Sequence, residues 1–513
     1  MKEVSVIGGG TAGWLTALYA KKNLPDCNIT LIESSNIGIL GAGESTTPPL
    51  VKMLEYLEVS VEELVKNTKA TIKNTIKFTN WSSDNDYYYN SFSFKDNHLN
   101  HKNLDIDGWS GVPAYQTISS EMNEKNTDFD FIGNLVEDNI TLFRIDDFKN
   151  RRQKELNNLY SDSFYALHID ARRLADFLKK IGTERGINTI DGLVSEFDLN
   201  EDKDITYIHL EDGRSIKTNF VFDCSGFARL VIGKLYMSKW KSFSNMLPMK
   251  KAIPFFVDVK DESEIVPYSE TIAMEYGWMW KVPLQHRWGC GYVFDSDFIS
   301  VDDAKIELEK KVGHEINIPK VFNFDAGSYE KIWINNSIAL GLSAGFTEPL
   351  EATALLQFQE TIEKIFNNKE QLFMNNKEYK NNFNKTYNDE MDSIVDYVYL
   401  HYMTDKTNNL FWKDFTINNK IPDSLIEKIY HLNNGMLFQD IAGHKNTNIF
   451  DSENYFVVAR GINLLNKKNV NKNYIKYNLE NVLDKYNYQK DIRNKEKDYY
   501  IKHSNVLKIF GGL

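Results

Sequence analysis

Apolar and polar positions near the N-terminus predict a strand, a helix and a second strand in succession. EVSVI (3–7) is a short apolar run that ends at three glycines, TAGWLTALYAKK (11–22) follows as a helix, and NITLIE (28–33) is a second strand. This order is typical of one βαβ unit. The apolar start could pass for a signal peptide, but Glu3 and the glycines interrupt it. No apolar run is long enough to span a bilayer.

Further along the chain, shorter patterns predict the remaining elements, and no internal repeat is found. Those elements are a Tyr- and Asn-rich loop region (84–98), a helix (170–182), a hairpin strand that runs into a turn (213–227), a strand and turn (335–346) and an amphipathic helix (354–366). From about residue 367 the chain becomes rich in Asn and Lys. We interpret that part as helices with polar, solvated surfaces.

Composition narrows the class of protein. The chain has 513 residues, which favours two or three packed modules, and a net charge of −12, which argues against a nucleic-acid surface. Its three cysteines, Cys27, Cys224 and Cys290, are widely spaced, so neither a disulfide framework nor a zinc site is expected. No other metal-ligand spacing is found. A reducing cytoplasm is the simplest location, and neither nucleic acid nor membrane is an expected partner.

The glycines after the first strand form the pattern Gly8-x-Gly10-x-x-Gly13. Gly8 permits a tight turn, Gly10 lets the backbone approach a pyrophosphate, and Gly13 lets helix and strand pack closely. Glu33 lies 20 residues after Gly13, where a carboxylate would accept hydrogen bonds from an adenosine ribose. This predicts dinucleotide binding, but the motif alone leaves FAD and NAD open. The later segments DCSGF (223–227) and ALGLSAGFTEPLEATALL (339–356) look like flavin-contacting segments of large FAD enzymes.

Together these segments resemble the tryptophan halogenase family of flavin-dependent halogenases. The matching segments are GGGTAGW (8–14), GAGEST (41–46), KNTIKFTNW (73–81), LHIDARRLADFL (167–178), DCSGF (223–227), WMWKVP (278–283), GFTEPLEAT (345–353), LHYMTDKTNNLFW (400–412) and NYFVVARGIN (454–463). WMWKVP is close to the family's W-x-W-x-I-P signature, with Val282 in place of isoleucine. The resemblance covers roughly residues 1 to 465.

The resemblance implies a reaction and two catalytic side chains. In this family reduced flavin, O₂ and a halide generate hypohalous acid, which travels through a tunnel to a lysine and halogenates an aromatic carbon. Lys73 matches that lysine; from spacing alone it could equally be a surface lysine beside Lys66, Lys69 and Lys77. Glu351 matches the family glutamate, which stabilises a cationic intermediate or takes its proton. The alternative is a glutamate in the first turn of a helix.

The resemblance also assigns a cofactor site and a halide site. The expected FAD contacts are Gly8, Gly10, Thr11, Ala12, Gly13, Trp14, Glu33, Glu44, Ser45, Val194, Leu342 and Leu355. Thr353 and Ala354 match positions whose backbone N–H groups bind halide. Many family members have ESTG where this chain has EATA (351–354), so Ala354 replaces a glycine and restricts φ.

The substrate side is less defined. Trp278 and Trp280 share one face of a strand and could separate flavin from substrate, or simply fill a core. His168 and His401 are interpreted as structural. Substrate-pocket candidates are 87–94 and 454–463, with Tyr455 where family members often have tryptophan. We expect an electron-rich indole or phenol, free or tethered to a carrier protein. A separate flavin reductase would supply FADH₂, because no second Gly-rich nucleotide motif is present; the oligomeric state, including a homodimer, is left open.

We therefore predict an α/β fold with α+β elements, like that of FAD-dependent monooxygenases, with a Rossmann-type core. The expected modules are a discontinuous FAD-binding module (1–80, 160–230 and 330–366), a middle substrate and sheet module (81–159 and 231–329) and a mainly helical C-terminal substrate module (367–513). Two other functions stay open at this point. One is a single-component FAD aromatic hydroxylase, for which Lys73 would be dispensable. The other is a non-catalytic flavin-binding protein.

Overall fold

The βαβ unit predicted at the N-terminus is present. In the computed structural model, β1 (Lys2–Ile7), α1 (Thr11–Asn23) and β2 (Cys27–Glu33) follow one another. β1 pairs with β2 in parallel from Lys2↔Cys27 to Ile7↔Ile32, with α1 as the crossover connection. The structure describes residues 1–38, 43–83, 86–92, 131–144, 165–318, 320–406, 409–434, 449–450, 452–465, 491, 494–495 and 497–513.

Strands and helices alternate irregularly along the described residues. The further strands are β3 (Glu44–Ser45), β4 (Thr71–Lys73), β5 (Thr75–Thr79), β6 (Tyr87–Ser91), β7 (Ile140–Arg144), β8 (Ala166–Ile169), β9 (Asn188–Asp191), β10 (Val194–Leu199), β11 (Ile205–Leu210), β12 (Ser215–Lys217), β13 (Phe220–Asp223), β14 (Trp240–Ser242), β15 (Lys251–Asp258), β16 (Tyr268–Ala273), β17 (Gly277–Pro283), β18 (Arg287–Phe294), β19 (Phe322–Asn323), β20 (Gly327–Tyr329), β21 (Trp333–Ile334), β22 (Ser337–Ala339), β23 (Gly345–Phe346) and β24 (Tyr500–Lys502). The further helices are α2 (Pro48–Tyr56), α3 (Val61–Thr68), α4 (Phe131–Glu137), α5 (Ala171–Glu184), α6 (Val301–Val312), α7 (Thr353–Asn367), α8 (Lys377–Tyr402), α9 (Leu410–Asn418), α10 (Asp423–Asn433), α11 (Ser452–Gly461) and α12 (His503–Ile509).

The chain divides into two compact units, each assembled from three separate stretches. Unit 1 comprises Met1–Ala70, Ile169–Ser244 and Asp325–Asp392. Unit 2 comprises Thr71–His168, Asn245–Phe324 and Ser393–Leu513.

Unit 1 is built on a six-stranded sheet in the order β21-β22-β13-β1-β2-β9. Its neighbours are parallel except for the short antiparallel pair β21–β22. All four residues of β13 are buried, as expected for a parallel strand covered on both faces. The registers Ile7↔Asp223 and Asp223↔Ala339 bring the carboxyl ends of three strands to one edge of the sheet. Ligands of open α/β sheets bind at that edge.

Unit 2 is built on a seven-stranded sheet in the order β19-β15-β18-β17-β16-β5-β6. Its neighbours are antiparallel except for the parallel pair β16–β5. Alternate side chains of β15, β17 and β18 form a core that includes Phe255, Met279 and Tyr292 and that also contains Leu308 of α6. The strand β4, which carries Lys73, pairs in antiparallel fashion with β8.

One local prediction is wrong, and another, the helical prediction for the stretch from residue 367, is confirmed with a 3₁₀ segment at its start. Tyr87–Ser91 is predicted as a loop, yet it forms strand β6, because it pairs with β5 along its whole length and buries Tyr88 and Tyr89. The Asn- and Lys-rich stretch after residue 367 begins with a 3₁₀ turn, Lys369–Phe373, before the 26-residue helix α8. The predicted loop residues 84–85 and 93–98 lie outside the described part of the chain.

All three cysteines are free and buried. Among the described residues, no helix combines the length and the apolar character that crossing a bilayer requires. Nor does that part of the chain contain a cluster of three or more His, Cys, Asp or Glu side chains suited to a metal ion.

Candidate active site

The turn between β1 and α1 in unit 1 has the geometry that its glycines predict. Gly8 has φ of 118°, and a Cβ there would lie 2.2 Å from the carbonyl oxygen of Cys224. A Cβ on Gly13 would lie 1.8 Å from the carbonyl oxygen of Gly8, so helix and strand pack as closely as the motif requires. Gly10 precedes the helix, and a Cβ there would have no neighbour within 4 Å. The first N–H groups of α1, at Thr11, Ala12 and Gly13, lack intrahelical acceptors and are available to an anion.

Trp14 has a packing role in this turn. Its side chain has no exposed surface, and its ring lies against Gly182 of α5. Its backbone N–H donates to the carbonyl of Gly10. Trp14 therefore holds α1 in place behind the open helix terminus.

Two carboxylates of unit 1 interact with different parts of α5. Glu33 ends β2, and its Oε1 is 2.5 Å from the Nζ of Lys179 on α5. Glu44, in β3, is partly buried, and its pKa is raised to about 7 by burial and by the neighbouring charge of Asp170. Asp170 is fixed at the start of α5, where its carboxylate accepts from the N–H groups of Arg172 and Arg173. A group that gains or loses a proton near neutral pH is thus present beside Ser45.

Three turns from distant parts of the sequence meet in unit 1. The hydroxyl of Ser343 donates to the carbonyl of Gly226, which joins the turn after β22 to the turn after β13. A Cβ on Gly341 would lie 3.0 Å from the Cβ of Ala12, so the first of these turns also reaches the start of α1. Leu342 is partly buried in that turn. The segments DCSGF and GLSAGF, which suggested flavin contact, therefore gather at the glycine motif.

Two predicted cofactor residues occupy other positions in unit 1. Val194 begins β10 and is partly buried against the cluster that contains Ile7 and Ile32. Leu355 lies in the first turn of α7 and is partly buried. Contact of either residue with a flavin stays a prediction.

The turn before α7 contains unusual backbone. Glu351 has φ of 64° and Ala352 has φ of 56°, so two consecutive non-glycine residues are left-handed. This conformation costs roughly 1–2 kcal/mol per residue and marks candidate functional sites. Helix α7 begins at Thr353, after Ala352. The alternative that Glu351 sits in the first helical turn is therefore wrong; its carboxyl is largely buried in the preceding turn.

Thr353 and Ala354 are the first two residues of α7, so their N–H groups are open to an anion. The hydroxyls of Thr353 and Thr347 are 2.8 Å apart, which ties the helix start to the turn. Ala354 is helical, whereas Ala352 carries the positive φ. The replacement of a glycine by Ala354 therefore requires no strained φ at this position. Glu348, in the same turn, has no exposed surface.

In unit 2, Lys73 has no exposed surface and lies in β4. The surface-lysine alternative is wrong for Lys73, because it lies in a buried strand and not on the solvated face of a helix. Lys73 pairs with Ala166, and Thr71 pairs with His168, so all four side chains lie on one face. The Nζ of Lys73 is 4.9 Å from the centre of the Phe92 ring.

Two buried histidines flank β4. The hydroxyl of Thr71 donates to the carbonyl of Pro283, so Nδ1 of His168 must donate to that hydroxyl, and Nε2 of His168 then accepts from Ser269. Burial and the charges of Lys73 and His503 lower the pKa of His168 well below its usual value. Both ring nitrogens form hydrogen bonds with hydroxyl groups. Because its pKa is lowered, His168 is uncharged.

His503, at the start of α12, holds the other side of the strand. Its Nε2 accepts from the backbone N–H of Ile72, and its Nδ1 donates to the carbonyl of Ile265. Burial lowers the pKa of His503 to about 4. Sequence reasoning did not select His503, because no motif marks a histidine so far along the chain.

The tryptophan pair lies on one face of β17, as predicted. The ring centres of Trp278 and Trp280 are 6.3 Å apart, and the Trp278 indole donates to the hydroxyl of Tyr402. His401 donates from Nδ1 to the carbonyl of Tyr397, in agreement with a structural histidine. Tyr455 is buried, and its hydroxyl lies 3.1 Å from the Nζ of Lys428.

The family model for tryptophan halogenases matches residues 3–473. The chain belongs to the tryptophan halogenase family. It is 28% identical over 445 residues to tryptophan 6-halogenase SttH of Streptomyces toxytricini, covering 83% of each chain. It is 30% identical over 365 residues to tryptophan 7-halogenase KtzQ of Kutzneria sp. (strain 744), covering 69% of this chain and 67% of that one. The solved structure of Xcc4156, a flavin-dependent halogenase from Xanthomonas campestris, superposes with a TM-score of 0.81 at 25% identity, covering 99% and 98% of the two chains.

Membership of this family makes the protein a flavin-dependent halogenase, and hence an enzyme with an α/β fold. The comparisons do not favour the single-component hydroxylase or the non-catalytic flavin protein. Unit 1 fits a dinucleotide cofactor, since the space at Gly10 and the open terminus of α1 suit a pyrophosphate.

Proposed function

We propose that this halogenase uses FADH₂, O₂ and a halide to halogenate an indole-type aromatic, with the oxidant held at Lys73. The observation that carries the proposal is the complete burial of the Lys73 side chain in unit 2. Lysine is almost never fully buried unless it is paired, so complete burial of this side chain is unusual. A buried amine beside neutral histidines is suited to hold a small oxidant, because water does not compete for it.

In unit 1 we assign FAD to the glycine turn. The N–H groups at the start of α1 would bind the pyrophosphate, and Glu33 would bind the adenosine ribose. Bound FADH₂, with O₂ and a halide, would supply hypohalous acid. The chain has no second Gly-rich nucleotide motif, so a separate flavin reductase is the expected source of FADH₂.

The side chain of Lys73 can act on hypohalous acid in two ways. Its ammonium donates a hydrogen bond to the oxygen and so makes the halogen more electrophilic. Its neutral amine can instead attack the halogen, so that an N–halogen bond forms while the oxygen–halogen bond breaks and water leaves with the proton of the amine. The pKa values of the two histidines that flank β4, His168 and His503, are lowered by burial, so both side chains are uncharged beside Lys73.

Glu351 and the start of α7 supply the complementary negative and positive groups in unit 1. The Glu351 carboxylate would accept the proton lost from the cationic arene intermediate or orient the oxidant. The N–H groups of Thr353 and Ala354 would bind the halide, as anions bind at other helix N-termini.

We propose an indole as the substrate class. Relatives of this chain are named as tryptophan 6- and 7-halogenases, and those names describe the relatives. Tryptophan is therefore the first compound to test, followed by other indoles, phenols and carrier-tethered aromatics. A homodimer is a further expectation, to be measured by the mass of the purified protein in solution.

The test is a bromination assay with purified chain, FAD, a flavin reductase, NADH, O₂ and bromide. Mass spectrometry of the aromatic panel should show the bromine isotope doublet. Lys73→Ala should lower the rate at least about 100-fold, within the range expected for a group that acts in the transition state. The matched control is Lys66→Ala, at an exposed position of α3, which should retain wild-type activity.

Two outcomes would contradict the proposal. Retained bromination by Lys73→Ala would remove the assigned role of the lysine. A hydroxylated product that forms without halide would assign the chain to oxygen transfer instead.

A further inference from the structure

Asn74 is the single residue between β4 and β5, directly after Lys73. At this point the chain leaves its pairing with β8 and enters the seven-stranded sheet of unit 2. The backbone N–H of Asn74 donates to the carbonyl of Pro267 at 2.8 Å. Its side chain has no exposed surface.

The amide of Asn74 is buried without a hydrogen-bond partner among the described residues. Neither Nδ2 nor Oδ1 has one. An asparagine amide carries two donors and one acceptor, and most buried side-chain polar atoms are hydrogen-bonded. Leaving them unpaired costs free energy, because these atoms lose water on folding and gain nothing in return.

Two polar groups that flank Asn74 along the chain are hydrogen-bonded. The hydroxyl of Thr75 accepts from Ser91 at 3.0 Å, and the N–H of Ile72 donates to His503. Asn74 is thus a residue directly beside Lys73 whose two side-chain polar atoms are both buried and unpaired. Asn384 of unit 1 shows the usual arrangement for a buried asparagine, since its Oδ1 accepts from two backbone N–H groups and its Nδ2 donates to the carbonyl of Trp333.

We propose that the Asn74 amide binds the small oxidant held at Lys73, and this rests on the proposed function. Oδ1 would accept the O–H of hypohalous acid, while Nδ2 would donate to its oxygen. An indole N–H offers only a donor, whereas hypohalous acid offers both a donor and an acceptor, as the two open atoms of the amide require. Because both hydrogen bonds involve the hydroxyl group of hypohalous acid, the halogen atom remains accessible to the aromatic carbon.

The first variant to test is Asn74→Leu, which keeps the size of the side chain and removes both polar atoms. If the amide is unpaired in the folded protein, the Tm of the full chain should stay unchanged or rise. The matched control Asn384→Leu should lower the Tm by several degrees, because it removes satisfied hydrogen bonds and leaves backbone groups buried and unpaired.

The second readout is bromination of an indole that wild-type enzyme accepts. Asn74→Leu should lower kcat about tenfold and lower the brominated product per FADH₂ consumed, with KM for the indole unchanged. Asn74→Ser, which keeps one donor and an acceptor, should recover part of the yield.

Three results would overturn the inference. A fall in Tm equal to that of Asn384→Leu would mean that the amide is satisfied within the protein. A wild-type kcat and yield would mean that the amide does not touch the oxidant. A rise in KM with unchanged kcat would indicate that the Asn74 amide contacts the aromatic substrate and not the oxidant. Failure of the proposed function is recognised separately, by Lys73→Ala, and leaves the Tm comparison intact.

Discussion

The candidate cofactor site of unit 1 depends on backbone packing, whereas the surroundings of Lys73 in unit 2 depend on side chains. In unit 1, backbone packing determines the shape of the turn from Gly8 to Gly13. A Cβ on Gly8 would clash with the carbonyl oxygen of Cys224, and a Cβ on Gly13 would clash with that of Gly8. In unit 2, the surroundings of Lys73 are defined by side chains from separate segments, including His168 and His503. A backbone site needs particular residues at fixed spacing, whereas a side-chain site needs only that the fold bring compatible groups together.

This difference explains what could be predicted from the sequence. The strand, glycine turn and helix at the N-terminus were confirmed almost to the residue, because their signals are local. His503 and Asn74 were missed, because the first is joined to β4 only by tertiary structure and the second is notable only for the partners it lacks. Tyr87–Ser91 was placed in a loop because its neighbours are polar, although pairing with β5 makes it a strand.

The largest expected difference in stability is between alanine substitutions at two glycines of the same motif. Gly13→Ala should destabilise the fold by about 3 kcal/mol or more, since its Cβ would lie 1.8 Å from the Gly8 carbonyl oxygen. Gly10→Ala should change the free energy of unfolding by less than about 0.5 kcal/mol, because nothing lies within 4 Å of its Cβ. It should instead weaken FAD binding. Urea unfolding and FAD titration measure the two effects, and unchanged FAD affinity in Gly10→Ala would place the pyrophosphate elsewhere.

In unit 2 the next effect is on stability at acid pH. Because the pKa of His503 is lowered to about 4 in the fold, the unfolded chain binds the proton first. The contribution of His503 to the free energy of unfolding is therefore fully present above about pH 6.5. It is lost as the pH falls toward 4, by about 3 kcal/mol in total. His503→Gln keeps a donor and an acceptor without the titration, so its stability should fall less over that range. Chemical unfolding across the pH range is the measurement, with the exposed His314→Gln as the control.

A substitution of Glu351 in unit 1 tests whether this residue, which has a left-handed backbone conformation, takes part in catalysis. Glu351→Gln should lower kcat/KM for bromination about 100-fold, or about 2.7 kcal/mol, because the amide cannot take up a proton. The Tm should change little, since the two side chains have nearly the same shape. Glu360→Gln, at a partly exposed position of α7, is the matched control. Equal rates in the two variants would remove the carboxylate from the mechanism.

Glu44 should give the opposite pH dependence to His503. Its pKa is raised to about 7, so the folded protein holds a proton that the unfolded chain has lost. Stability from this residue is present below about pH 4.5 and declines as the pH rises toward 7, by about 2 kcal/mol after allowance for partial exposure. Glu44→Gln should therefore be more stable than the wild type at pH 8 and nearly equal to it at pH 4. A constant difference across that range would show that Glu44 does not titrate as expected.

The smallest effect compares two alanines in the turn before α7, where this chain departs from the family pattern. Ala352 has φ of 56°, so Ala352→Gly should relieve strain and stabilise the protein by about 1 kcal/mol. Ala354 is helical, so Ala354→Gly should destabilise the protein by about 0.5–1 kcal/mol. Thermal unfolding of both variants gives the sign, and bromide dependence of the rate gives the functional part. If Ala352→Gly is more stable but needs more bromide, the left-handed turn is strained in order to hold the halide; if both properties improve, the strain serves no function.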